Sequence, residues 1–142
     1  MNASTLVTCA MGAALLAAGL AAPARAADRE LHSDKARERL AEFEYTGRSE
    51  LCLTTYRIKD VDVLDDWTLL VETQGRKYYV NHLPHRCPRL GFEQRFSYTL
   101  RGLNQLCNTD IITVLHTDMR PGASCGLGKF EELRKKQGEP ER

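Results

Sequence analysis

Trp67-Thr68-Leu69-Leu70-Val71-Glu72-Thr73-Gln74-Gly75-Arg76-Lys77-Tyr78-Tyr79-Val80-Asn81 is the stretch whose reading sets the fold class. Two runs rich in β-branched, aromatic and apolar residues flank Gln74-Gly75, where glycine supplies the positive φ of a tight connection, so the stretch predicts a β-hairpin. Working outward, the same texture recurs at residues 51–58, 61–64, 96–100 and 111–116. Asp65-Asp66 turns the chain just before Trp67. Ile111-Ile112-Thr113-Val114-Leu115 is apolar on both alternating faces, which predicts the strand at the centre of the core. Leu83-Pro84-His85-Arg86-Cys87-Pro88 is excluded from a central strand, because its two prolines lack backbone donors. Ser33 is placed to cap a short helix over residues 34–44, with Ala36, Leu40 and Phe43 on one face. The expected architecture is mainly β, at the margin of α+β: a small antiparallel barrel or sandwich with a peripheral N-terminal helix, stapled by disulfides.

The ends of the chain read differently. Residues 6–22 carry no charge and are rich in Ala, Leu and Gly, but are short for a roughly 30 Å hydrocarbon core. Pro23 followed by Ala24-Arg25-Ala26 completes a signal-peptide pattern with cleavage after Ala26, although no Lys or Arg precedes the apolar run. Thr8 before Cys9 does not make a lipobox. The expected organisation is residues 1–26 removed, 27–46 helix and linker, 47–132 one disulfide-bonded β-rich domain, and 133–142 a charged flexible tail. Phe130 and Leu133 are expected to anchor a final helical turn. The mature chain is expected to have no transmembrane segment and to reside in the periplasm or outside the cell.

The chain has 20 basic and 19 acidic side chains, and loss of Arg25 with the leader leaves 19 of each. No overall field pulls the chain toward nucleic acid or membrane, so any electrostatic partner must meet a local patch. Residues 59–72 are mostly acidic and residues 76–101 mostly basic. Cross-strand pairing within the hairpin accounts for Arg76 and Lys77, whereas Arg86, Arg89 and Arg95 lie beyond it.

Four cysteines remain in the mature chain, Cys52, Cys87, Cys107 and Cys125, and in an exported protein they read as two disulfides. Three pairings fit. The expected one, Cys52 with Cys125 and Cys87 with Cys107, nests one loop inside another and ties the start of the domain to its end.

Several constellations invite a chemical reading. Gly122-Ala123-Ser124-Cys125-Gly126 matches G-x-S-x-G, but no histidine follows Ser124, so a glycine-rich turn around a disulfide is expected instead. His82, His85 and Cys87 could supply zinc ligands, yet oxidation removes the thiolate and Arg86 sets a fixed positive charge beside them. Asp110, His116 and Asp118 fall on one side of a strand, as an ordinary polar strand end would. Trp67, Tyr78, Tyr79, Phe92, Phe96 and Tyr98 are expected in the core or in cross-strand pairs. No catalytic residue, metal or cofactor is assigned.

Cys52, Leu64-Asp65-Asp66, Asn81-His82-Leu83-Pro84-His85-Arg86-Cys87-Pro88, Leu106-Cys107-Asn108-Thr109-Asp110-Ile111-Ile112-Thr113-Val114 and Gly122-Ala123-Ser124-Cys125-Gly126-Leu127-Gly128-Lys129-Phe130 together resemble a family of small exported proteobacterial proteins of unknown function. The resemblance spans residues 47–132 and implies a Gram-negative envelope location, with no activity, cofactor or catalytic residue to carry over. The functional expectation is a non-catalytic binding or structural module that meets an anionic envelope component or an acidic protein surface through loop 82–95, using His82, His85, Arg86, Arg89 and Arg95. The alternative is a small periplasmic hydrolase or metal-dependent enzyme built on His82, His85 and Asp110.

Overall fold

The computed structural model describes residues 31–100 and 104–137; the expected leader, its cleavage site and the last five residues lie outside them. The order is α1 (Asp34–Ala41), β1 (Phe43–Glu50), β2 (Cys52–Thr54), a 3-10 turn at Thr55–Arg57, β3 (Ile58–Val63), β4 (Thr68–Thr73), β5 (Lys77–His82), α2 (Leu90–Glu93), β6 (Phe96–Tyr98), β7 (Gln105–Cys107), β8 (Ile111–Leu115), β9 (Pro121–Gly126) and β10 (Phe130–Lys135). The chain is mainly β and antiparallel, with a short N-terminal helix and two disulfides. The strands form a five-stranded sheet in the order β1-β10-β5-β4-β3, a pair β2-β7, and a three-stranded sheet β6-β8-β9. They do not close into a barrel.

The hairpin is the core of the large sheet. Thr73 pairs with Lys77, leaving Gln74-Gly75-Arg76 as the connection, with Gly75 at φ 85° and Arg76 at φ 59°. Along β4 and β5 the side chains alternate between two apolar clusters. Leu70 and Val80 join Ala36, Leu40, Phe43, Leu64 and Leu133 under α1. Leu69, Val71 and Tyr79 join Leu53, Leu106, Ile112, Val114 and Phe130 beneath the two smaller sheets. Apolar layers on both faces explain why β4 reads as a continuous run rather than as an alternation. Ser33 caps α1 as expected, its Oγ accepting from the Ala36 N–H at 3.0 Å. The helix stops at Ala41, and Phe43 reaches the same cluster as the first residue of β1.

Three expectations are corrected. Residues 111–115 form a half-buried strand between β6 and β9: Ile112 and Val114 are fully buried, while Ile111 is 47% exposed. The strand covered on both faces is β4. The C-terminal segment is not a helical turn: β10 runs between β1 and β5, with Phe130 opposite Asn81 and Leu133 opposite both Tyr45 and Tyr78. Its sequence, FEELRK, has a helix former's composition, and pairing on both edges overrides that local preference.

The disulfides are the third. Cys52 pairs with Cys107 and Cys87 with Cys125, not Cys52 with Cys125 and Cys87 with Cys107. Strand register decides this, because Cys52 and Cys107 sit opposite each other in the β2-β7 ladder. Cys125, opposite Ile112 on β9, faces the main core and meets Cys87 there.

The entry into β10 is fixed by a side chain acting as backbone. Asn81, fully buried, donates from Nδ2 to the Gly128 carbonyl at 2.7 Å and accepts from the Gly128 N–H on Oδ1 at 2.8 Å. A Cβ at residue 128 would collide with the carbonyl oxygen of His82, so only glycine fits.

Two stability outcomes follow from this arrangement. Non-reducing peptide mapping should recover Cys52–Cys107 and Cys87–Cys125, and a Cys87→Ser, Cys125→Ser variant should lose about 4 kcal/mol in urea unfolding, from the entropy of a loop of that length. Asn81→Ala strands both backbone groups of Gly128 in the interior and should cost about 3 kcal/mol in the same assay.

Candidate functional site

The ladder that seats β10 also gathers charge at one end of the large sheet. Leu133 lies opposite Tyr45 on one side and Tyr78 on the other. Arg134 and Lys135, the next residues of β10, therefore lie beside Lys77 and the turn residue Arg76. Arg48 joins them from β1, past a register shift that contains Gly47 at φ 81°. The five cations line a groove of about 570 Å³ together with Glu132. Arg48 pairs with Glu132, Arg134 with Glu44 at 2.9 Å and Lys135 with Glu42 at 4.0 Å. Arg76 and Lys77 are exposed and form no ion pair among the described residues. The expected cross-strand pairing in the hairpin is thus replaced: Glu72 holds Lys59 at 2.7 Å, and Asp62 faces Lys35 and Arg39 of the α1 helix, each at 3.7 Å.

The loop arginines are placed otherwise. Arg86 directs Nε and Nη2 onto Asp66 Oδ2 at 3.0 and 2.9 Å. Arg89 directs Nε and Nη2 onto Glu93 Oε1 at 3.2 and 2.7 Å and lies over the ring of Phe92. Arg95 is exposed and forms no ion pair among the described residues. His85 is exposed in the loop, and His82, at the end of β5, has Nε2 3.1 Å from the Tyr45 hydroxyl.

A second cleft, of about 500 Å³, opens between α2 and the turn after β8, with Arg89, Glu93, His116, Asp118 and Arg120 among its walls. The Glu93 side chain is only 3% exposed. His116 Nδ1 lies 3.0 Å from its Oε1, and Thr117 donates to its Oε2 at 3.2 Å. The imidazole packs over Gly122, where a Cβ would come within 2.8 Å of Nε2.

Asp110 stands apart from these histidines in its contacts, being buried with Oδ2 accepting from the Cys107 N–H at 2.7 Å. Ser124 lies within β9, not on a strand-to-helix elbow, and its Oγ is 3.0 Å from Thr113 Oγ1. Among the described residues no three His, Cys, Asp or Glu side chains gather as a metal site. The aromatic residues divide: Tyr79 is buried and Tyr78 packs on Phe43, whereas Trp67 stacks on His32 at 4.4 Å and Phe92 is 77% exposed.

A family model described as a family of unknown function, DUF6491, matches residues 2–141. The chain belongs to this family. No curated protein and no solved structure matches it. The match extends on both sides of the span on which the sequence resemblance rested, and it brings no activity or role.

Two titrating groups of this DUF6491 chain are moved strongly. The hydrogen bond from His116, then that from Arg89, holds the Glu93 carboxyl down at about 2. Burial, then the hydrogen bond to Glu50 at 3.0 Å, pushes the Tyr79 hydroxyl up to about 12. Both shifts run away from neutrality and fix each group in its ordinary form. Sequence reading missed Glu93, Arg48, Arg134 and Lys135. The adjacent basic pairs Arg76-Lys77 and Arg134-Lys135 carried the signal, but it became legible only with β10 as a strand.

Because Glu93 titrates lower in the folded chain than its ordinary 4.5, its stabilisation is complete above that pH and is lost as pH falls through about 2. The gap in unfolding free energy between the parent and a Glu93→Gln variant should therefore close progressively as pH falls below 4.5. A chemical-denaturation series across acid pH measures it.

Proposed function

We propose that this chain is an exported, non-catalytic binding module that meets an anionic partner through the groove bordered by Arg48, Arg76, Lys77, Arg134 and Lys135. One observation carries the reading: the hairpin turn and the start of β5 present Arg76 and Lys77 with no carboxylate among the described residues to hold them, beside three further cations on β10 and β1. Guanidinium and ammonium groups held on a rigid sheet engage carboxylates or phosphates at little entropic cost. Export is supported by the two disulfides, which persist in oxidising compartments. Among the described residues no helix is long and apolar enough to cross a membrane. Cleavage near Ala26 would place the mature chain in the periplasm or outside the cell.

The two strongly shifted groups are poorly suited to acid–base catalysis. Acid–base catalysis favours a group poised near the working pH, whereas Glu93 and Tyr79 are driven to the two extremes. For the enzymatic alternative at His82, His85 and Asp110, the three side chains are committed to separate surroundings: the Tyr45 hydroxyl, the exposed loop and the Cys107 N–H.

The test compares two triple variants on a polyanion resin such as immobilised polyglutamate. Arg76→Gln, Lys77→Gln, Lys135→Gln should lower retention at least about tenfold, and raising salt from about 50 to about 500 mM should release the parent protein as its exposed charges are screened. Arg86→Gln, Arg89→Gln, Arg95→Gln should leave retention within about twofold, because Arg86 and Arg89 each hold a carboxylate through two hydrogen bonds, whereas Arg76 and Lys77 hold none among the described residues. The reverse ranking would move the site to loop 82–95.

A further inference from the structure

We infer that the anion met by this groove is the headgroup layer of an anionic lipid bilayer, an inference that rests on the groove being the binding surface. The arrangement of cations argues against a single small anion. Arg48, Arg134 and Lys135 are drawn to three different carboxylates, Glu132, Glu44 and Glu42, and Arg76 projects from the hairpin turn. Charges spread in this way over three strands and a turn have no common focus. They match a field of many anions in one plane, which attracts each nearby Lys or Arg additively.

The surface continues past the groove through the hairpin turn. Gln74 donates its backbone N–H to the Arg57 carbonyl at 2.8 Å and its side-chain amide to the Tyr56 carbonyl at 3.0 Å, which binds the 3-10 turn to the hairpin tip. Arg57 is exposed and extends the cationic series. Tyr56 is 72% exposed, and its hydroxyl has no hydrogen-bond partner among the described residues. Tyr45, 41% exposed, lines the groove itself. Tyrosine places an apolar ring and a polar tip at the level where headgroups meet acyl chains, and it is enriched there for that reason.

A protein partner fits less well. Protein interfaces desolvate a central apolar patch and are depleted in lysine. Here Lys77 and Lys135 line the groove, and its aliphatic wall, Leu133, is already buried in the cluster under α1. Exposed tyrosine flanking basic residues suits a peripheral contact with an anionic bilayer, where the cations meet the headgroups and the rings sit at their level.

The experiment uses the full disulfide-bonded chain in a vesicle flotation assay, with phosphatidylglycerol and phosphatidylcholine vesicles run in parallel and polyglutamate retention measured on the same preparations. The protein should float with phosphatidylglycerol vesicles at least about tenfold better than with phosphatidylcholine, and Arg76→Gln with Lys77→Gln should remove most of that difference, at about fivefold per cation. Tyr56→Ser should weaken flotation about threefold while leaving polyglutamate retention unchanged, because the ring contributes only where there is an acyl boundary to enter. Circular dichroism confirms that each variant is folded. Equal flotation with both lipids overturns the inference. Retention on polyglutamate without flotation also overturns it, while sparing the anion-binding groove; failure in both assays removes the groove as well.

Discussion

The carboxylates of Asp65 and Asp66 are the junction on which the other segments depend. Asp65 accepts from the Trp67 N–H at 2.8 Å and from the Ser33 hydroxyl at 2.8 Å, so one side chain both turns the chain into β4 and docks the start of α1. Asp66 accepts from the Gly91 N–H at 2.9 Å and from Arg86, and its own carbonyl accepts from the Cys87 N–H at 2.8 Å. A Cβ on Gly91 would meet the Asp65 backbone at 3.0 Å, so the close approach of α2 favours glycine. The Cys87–Cys125 bond then carries the constraint on to β9. Three regions far apart in sequence, the start of α1, residues 86–91 and β9, are thus referred to one two-residue turn.

That junction changes the meaning of the charged loop. Arg86 is a conspicuous cation in sequence, and twenty residues before it Asp66 looks like part of an unrelated acidic run. In the fold they are partners, and Arg86 closes the loop over the turn instead of reaching outward. Arg89 has the same relation to Glu93, which in turn ties His116 and Thr117 to α2. Arg89 in particular is a poor candidate for holding something else, because releasing it exposes the buried Glu93 carboxylate.

Features carried by short-range chemistry were legible in the sequence. The hairpin at Gln74-Gly75, the turn at Asp65-Asp66, the Ser33 cap and the antiparallel β class all rest on residues within a few positions of one another. Features set by register were not. Disulfide pairing depends on which strands face each other, and nothing local to Cys52 selects Cys107. Strand β10 hides behind a helix former's composition, and it is placed by Asn81 and Gly128, forty-seven residues apart. The groove depended on both, since Arg134 and Lys135 meet Arg76 and Lys77 only when β10 lies beside β5. Residues 111–115 show the opposite failure, where a pattern apolar on both faces belonged to a strand covered on one.

A chain with nearly equal numbers of acids and bases can still gather an excess of cations at one end, and the topology here shows how. Most of the acidic run at residues 59–72 is held by other parts of the chain: Asp62 by α1, Asp65 by Ser33 and Trp67, Asp66 by Arg86 and Gly91, and Glu72 by Lys59, while Asp60 is exposed. Those carboxylates lie along β3, its turn and β4, while Arg76 and Lys77 sit at the hairpin tip and β10 brings two more cations to the same end. Strands stand about 4.8 Å apart, so the cations of adjacent strands fall well within the roughly 8 Å screening length at physiological salt. Their fields therefore add locally although the whole chain has almost no net field. A partner would be sensed only at short range, as suits a contact made on a surface the protein already neighbours rather than one found by long-range steering.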